Sequence, residues 1–372
     1  MSKHFDQLDD LDHLAGGFVE ELGQMWHGFG KFARAVPREA VERVLTVTAE
    51  KRPLFWMQEQ QEPVINADGD IEIATFGSPQ PVTRGDKPIF GIFDADTGHC
   101  FQSGVTDGYL IHPYLPLLEM TAEIVGESAD TLEYGCAVAL GNKEQMMVQI
   151  RMRQGVVVGG DKLLPWLACY SSLNSTWATG WKLCATRLQC DNTAAMVMGE
   201  KASAYQVKHT RHSALRVGEA RRVIGLLEDT VPRMVAEVDR FQHTSLSDNQ
   251  FRMVVDKLVP VTGKDGKPLE DGRGLTIALG KRATIHRMWT ADPRVNGYRG
   301  SVWGAIQAVS TAATHEFSVR GASRYERQVQ ATVTGAIDTL NRQTVEAVNA
   351  VFDSLGMASV RISAWREKSR AV

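Results

Sequence analysis

The stretch LEYGCAVALGNKEQMMVQIRM, residues 132–152, decides the fold. It reads as two strand-like apolar runs joined by a turn at Gly141-Asn142. A third run, LPWLACYSSLN (164–174), follows across RQGVVVGGDK (153–162). The glycines of that link are read as a turn, because no helix follows them to cradle a phosphate. Neighbouring strands here, with helical patterns gathered elsewhere, argue for α+β rather than alternating α/β.

Upstream, PVINADGDIEIATFG (63–77) places a turn at Ala67-Asp68-Gly69 between β-prone runs. PIFGIFDADTGHCFQSGV (88–105) repeats the pattern with a turn at Asp96-Thr97-Gly98. Two helices are expected around these hairpins. In VPREAVERVLTVTA (36–49), Pro37 suits a first turn, and Val41, Val44 and Leu45 share a face. In HPYLPLLEMTAEIVG (112–126), Leu117, Met120, Ile124 and Val125 lie on one side and Gly126 is placed to stop the helix.

Downstream the signal becomes helical. Ala220, Ile224, Leu227, Val231, Met234, Val238 and Phe241 make an apolar seam that Pro232 must kink or restart. TGKDGKPLEDGRG (262–274) is a polar, turn-rich loop, and SVWGAIQAVSTAATHEF (301–317) is another helical candidate. Val333, Ile337, Leu340, Val348, Val351 and Leu355 mark one last long amphipathic helix, which Gly356 ends. Such seams bury against the same chain or against another subunit. The expected division is an acidic arm and short helix over 1–60, an α+β core over 61–213 and a helical region over 214–372. The core is an antiparallel sheet of hairpins with a strand-strand-strand-helix unit.

The length, 372 residues, suggests two or three structural units. A hydrophobic share of 43% and a charged share of 23% are those of a soluble globular protein. No apolar run approaches the roughly 20 residues that span a bilayer. The start, MSKHFDQLDDLDHL, lacks the basic-then-apolar order of a signal peptide, so the cytoplasm is the expected compartment and no membrane partner is expected. Five scattered cysteines (100, 136, 169, 184 and 190) fit no disulfide framework.

The net charge of −3 hides an asymmetry. Residues 1–30 hold six acids and one base, residues 182–222 eight bases and three acids, and residues 273–327 nine bases and three acids. Such blocks make a positive surface for a polyanion, or solvated helix faces with local ion pairs.

The segment LCATRLQCDNTAAMV (183–197) is the densest in chemistry. Cys184 and Cys190 are spaced too widely for a usual zinc pair, and no second Cys or His pair lies near them in sequence. A cysteine nucleophile needs a base brought by the fold; a small buried thiol is the default. Asp191, Asn192 and Thr193 precede good helix formers and read as an N-terminal cap, worth about 1 kcal/mol. With Arg187 before it and Lys201 after it, that helix end has the charge to hold a phosphate.

In YQVKHTRHS (205–213), Lys208, His209, Arg211 and His212 crowd together without adjacent carboxylates, which suits phosphate contact better than catalysis. In NSTWATGWK (174–182), Trp177 and Trp181 are either core residues or stacking platforms for bases beside Lys182. Arg151 and Arg153 share one face of a strand. Asp94 and Asp96 form a D-x-D that is either a metal pair or a turn. Phosphate-loop, dinucleotide-binding, H-E-x-x-H and G-x-S-x-G patterns are missing from the sequence.

Taken in order, MWHGFG, LQCDNTAA, YQVKHTRHS and GSVWGAIQAV resemble a family of phage- and plasmid-encoded proteins of unknown function, over nearly the whole chain. Two departures are visible: SLNSTWATG lacks the family's His-Asp-Gly, and Lys208 stands where Arg is common. The family's core looks like that of the Rad-type single-strand annealing proteins, a fold-level analogy. The resemblance implies an oligomer, often a ring, holding single-stranded DNA in a basic groove, with recombination by strand annealing as the activity.

The expected function is therefore a mobile-element DNA-binding protein that anneals or protects single strands, not an enzyme, with no cofactor and no metal. Arg151, Arg153, Lys182, Arg187, Lys201, Lys208 and Arg211 are the expected cationic contacts, and Trp177 and Trp181 the stacking residues. The alternatives are a protein that binds a host or phage factor through its helical C-terminal half, and a metal-dependent nuclease using Asp94, Asp96 or His209.

Overall fold

The structure, a computed structural model, describes residues 14–16, 18–19, 24–25, 35–65, 67–127, 132–187, 204–210, 231–263, 267–317 and 324–360. In chain order the elements begin with β1 (Leu14–Gly16), β2 (Phe18–Val19), β3 (Gln24–Met25) and α1 (Arg38–Leu45). A run of hairpins follows: β4 (Ala49–Pro53), β5 (Phe55–Ile65), β6 (Ile71–Pro81), β7 (Thr83–Arg84), β8 (Lys87–Pro88), β9 (Phe90–Asp94) and β10 (Cys100–Val105). After α2 (Tyr114–Glu127) come β11 (Leu132–Leu140), β12 (Gln145–Met152), β13 (Val156–Val158), β14 (Asp161–Ser172), β15 (Thr179–Arg187) and β16 (Ala204–Val207). The helices are then α3 (described over 231–243), α4 (Asp248–Leu258), α5 (Gly272–Ala291), α6 (Pro293–Asn296), α7 (Val302–Thr311), α8 (Arg324–Thr334) and α9 (Ala336–Ser354). This is an α+β protein with most of its described helices in the C-terminal half.

The central sheet runs β1-β11-β12-β14-β15-β16, with β13 folded back on β14. Every pairing is antiparallel. The three runs of the sequence are β11, β12 and β14, and residues 179–187 contribute a fourth long strand, β15. These strands read as near-continuous apolar runs because both faces are covered. On one face, Ala137, Val148, Leu167, Trp181 and Leu183 pack against Val41, Val44 and Leu45 of α1 and Leu117 and Met120 of α2. On the other, Cys136, Val138, Met147, Trp166, Tyr170 and Cys184 pack under Val329 and Val333 of α8.

Polar contacts between the sheet and the last helices cross position 214. Trp303 Nε1 of α7 donates to buried Asp161 at the start of β14 (3.0 Å). Lys182 of β15 forms an ion pair with Asp338 of α9 and donates to Thr332 O of α8 (2.9 Å). One expectation is corrected here. The single last helix is two, because Gly335 takes a left-handed φ of 77°, which a continuing helix does not allow. Gly356, at φ 67°, ends the second as expected.

Both hairpin turns stand where the sequence put them: β5 pairs with β6 up to Ile65↔Ile71, and β9 with β10 from Phe93↔Cys100. The β4-β9-β10 sheet is joined to the β5–β6 pair at its base by Val82 N to Leu54 O (2.8 Å) and Leu54 N to Ile89 O (3.0 Å). Beyond that base the β5–β6 hairpin is an arm, eleven residues per strand and about 35 Å long, with nearly every described side chain exposed.

Candidate nucleic-acid interface

Four of the predicted contact residues are inside the protein. Trp181 is 0% exposed and Trp177 is 7% exposed, edge-on to Tyr170. Neither indole offers a face to a base, so their assignment as stacking platforms is corrected. Lys182 and Arg151 point to the sheet face that α8 and α9 cover, and each is spent on an internal carboxylate. Arg151 Nε donates to Glu133, its cross-strand partner in β11 (2.7 Å). Burial pulls the Lys182 ammonium down, but the Asp338 carboxylate outweighs it, so its pKa lies above the ordinary lysine value. The sequence pattern could not show that the last helices return onto this face.

The remaining cations fall at two opposite ends of the sheet. Arg153 follows β12 and is exposed. Arg187 ends β15 opposite Leu163 of β14, at the same end; its backbone is described. Lys208 is exposed just beyond β16, whose Val207 pairs with Thr179, so it lies at the other end. Lys201 and Arg211 lie outside the described residues, as does the expected cap at Asp191, Asn192 and Thr193, Cys190, and the MWHGFG segment from Trp26 on.

The structure adds Lys162 to the first end. Gly159 and Gly160, at φ 54° and 85°, close a two-residue turn that folds β14 back along β13 and sets exposed Lys162 opposite Val157. Gln242 of α3 locks that turn through Val158 O (3.0 Å). Arg153, Lys162 and the Arg187 position thus share one rim. Gly-Gly between β-prone residues was the signal for Lys162, since a two-residue turn brings the next residue alongside the strand.

The other end holds a stacked aromatic group. His209 lies flat on Tyr109 (5.2 Å, 6° between planes) and on His112 (4.3 Å). His112 Nδ1 meets Thr179 Oγ1 at 2.7 Å, and Thr179 Oγ1 meets Ser171 Oγ at 2.7 Å. His112, Thr179 and Ser171 are all buried, so this chain orients the sheet end and has no open face for a substrate. Burial holds the His209 pKa below the ordinary histidine value, against the hydrogen bond between Nδ1 and the backbone oxygen of Leu110 (3.1 Å).

That shift has a sign. Below about pH 6.5 the unfolded chain takes up a proton that folded His209 still refuses, so stability falls as pH drops through this window. Burial lowers the His286 pKa in the same direction. The lowered carboxylates, Asp94, Asp248, Asp292 and Glu316, act only at lower pH, below their ordinary values near 4. The urea midpoint is therefore expected to fall between pH 7.5 and 5.5, and to fall less in His209→Phe. An equal fall in both proteins would count against His209 as a source.

The nuclease groups are held by local structure. Asp94 accepts from Asp96 N (3.0 Å) and Thr97 Oγ1 (2.8 Å), which is the turn reading of the D-x-D. Among the described residues no three His, Cys, Asp or Glu side chains gather as metal ligands. Burial pushes the Cys136, Cys169 and Cys184 thiols up to about 12, so none is a ready nucleophile at neutral pH. No helix of the described residues is long and apolar enough to cross a membrane.

Comparison with known proteins adds one match. A family model described as a domain of unknown function (DUF932) matches residues 102–336, more than half of the chain. No curated protein and no solved structure matches it.

Proposed function

We propose that this chain, which belongs to the DUF932 family of domains of unknown function, binds single-stranded nucleic acid at one end of its central sheet. The observation that carries the reading is the register that gathers Arg153, Lys162 and the Arg187 position on one rim. Arg153 and Lys162, both exposed there, suit phosphates spaced along a strand. Sequence is read weakly or not at all, because Trp177 and Trp181 are core residues with no face for a base. The resemblance of its ordered motifs to phage- and plasmid-encoded proteins supports a role in a mobile element. The likeness of that family to Rad-type annealing proteins supports annealing or protection of single strands by an oligomer.

The test is binding of a labelled oligonucleotide by the full chain across a salt series. For single strands the logarithmic salt slope is about −0.7 per phosphate neutralised. The triple variant Arg153→Glu, Lys162→Glu, Arg187→Glu is expected to bind about 10-fold or more weakly and to flatten the slope by roughly 2. Lys208→Glu, at the other end, is expected to change little. Unchanged binding by a folded triple variant sinks the reading.

A protein partner for the helical half is favoured by one feature. Ile277 and Leu279 stand 49% exposed on α5, a helix with four basic residues and no acid. Ile277→Glu with Leu279→Glu separates the two readings, since it leaves the sheet rim untouched.

A further inference from the structure

The β5–β6 arm has two unlike faces. Strand alternation puts Phe55, Met57, Glu59, Gln61, Pro63 and Ile65 of β5 on one face, beside Pro81, Pro79, Gly77, Thr75, Ile73 and Ile71 of β6. Trp56, Gln58, Gln60, Glu62 and Val64 take the opposite, more polar face with their partners. The first face is apolar and open: Phe55 is 57% exposed, Met57 61%, Ile65 74%, Ile71 75% and Ile73 71%. A lone two-stranded hairpin is marginal in water, and this one spends its hydrophobic face on solvent.

We propose that this face is a self-association surface, covered in solution by the same face of a second copy lying end-for-end against it. The pattern along the arm is the first argument. It runs apolar at the base (Phe55, Met57, Pro79, Pro81), polar in the middle (Glu59, Gln61, Thr75) and apolar at the tip (Pro63, Ile65, Ile71, Ile73). A reversed copy sets tip on base at both ends and middle on middle. The Glu59–Gly77 pair then meets the Gln61–Thr75 pair, so the two Glu59 carboxylates do not oppose each other. A two-fold contact of this kind closes at two copies.

Area is the second argument. The five open side chains present roughly 600 Å² per copy, so two faces together bury about 1,200 Å², the lower bound of a stable specific interface. The edges are the less suitable surface, because Pro63, Pro79 and Pro81 remove backbone donors that edge-to-edge pairing needs. The surface is separate from the cationic rim and does not rest on the nucleic-acid reading.

The experiment is the mass of the full chain in solution by sedimentation, at micromolar concentrations. Two copies, or a multiple of two, are expected. The triple variant Ile65→Asp, Ile71→Asp, Ile73→Asp is expected to weaken self-association by roughly 100-fold or more, since each carboxylate would be buried without a partner. Its circular dichroism should match the wild type, because these positions are solvent-exposed in the single chain. The direction is read by cysteine pairing in a Cys100→Ser background: Phe55→Cys with Ile65→Cys should give an intermolecular disulfide, and Ile65→Cys alone should not. A monomeric wild type overturns the proposal, including one that floats with anionic lipid vesicles through the arm. So does a triple variant that keeps the wild-type mass, or a disulfide formed by Ile65→Cys alone.

Discussion

Asp338→Ala is expected to destabilise the protein by about 3–5 kcal/mol, because it strands the Lys182 ammonium inside the sheet–helix interface. Lys182 is 5% exposed and Asp338 6%, so water does not replace the lost carboxylate. The carbonyl of Thr332 remains as an acceptor but carries no neutralising charge. Much of the loss reflects an uncompensated charge rather than the net worth of the pair. Lys182→Met combined with Asp338→Leu should therefore recover most of it. Urea unfolding followed by circular dichroism measures both. An Asp338→Ala protein within about 1 kcal/mol of wild type would mean that the pair is solvated and that Lys182 is free to serve a ligand.

Trp181→Ala is expected to cost about 3–5 kcal/mol, the usual range for truncating a buried tryptophan. The indole lies between the sheet and α1–α2, in the larger of the two apolar clusters, with no exposed surface. The helices cannot close over so large a void without leaving the rest of that face. Its role as a core residue predicts a further result. A milder Trp181→Phe variant, folded at low temperature, should bind oligonucleotide as the wild type does. A base-stacking tryptophan would show the reverse, with stability kept and affinity lost.

The hairpin turns and the three core strands were legible because they depend on neighbours. Ala67-Asp68-Gly69 and Asp96-Thr97-Gly98 need only local turn chemistry, and the apolar runs of β11, β12 and β14 declare themselves over eight to twelve residues. Two helices were less visible. α4 begins with Ser247 and Gln250 in a capping box, a signal present in the sequence SDNQ. α5 carries Ile277 and Leu279 outward and glycines at 274 and 280, which blur its periodicity.

The candidate contacts divided by distance along the chain. Lys182, Arg151 and Trp181 look available from their own segments. Their partners, Asp338, Glu133 and the faces of α1 and α2, arrive from elsewhere. Charge counts over a window also overstate the free surface. In the block 273–327, Arg282 pairs with Asp256, Arg287 with Glu316, Arg294 with Asp292 and Arg299 with Asp248.

The closure of the sheet by the last helices sets an order of events during synthesis. Lys182 reaches an oxygen 150 positions further on, and Asp161 waits for a tryptophan 142 positions away. At about 5–20 residues per second, β15 leaves the ribosome on the order of ten seconds before the helices that cover it. Through that interval Trp166 and Tyr170 have strands beside them and no roof. The central domain is thus a late folder, and its completion is timed by the arrival of α8 and α9.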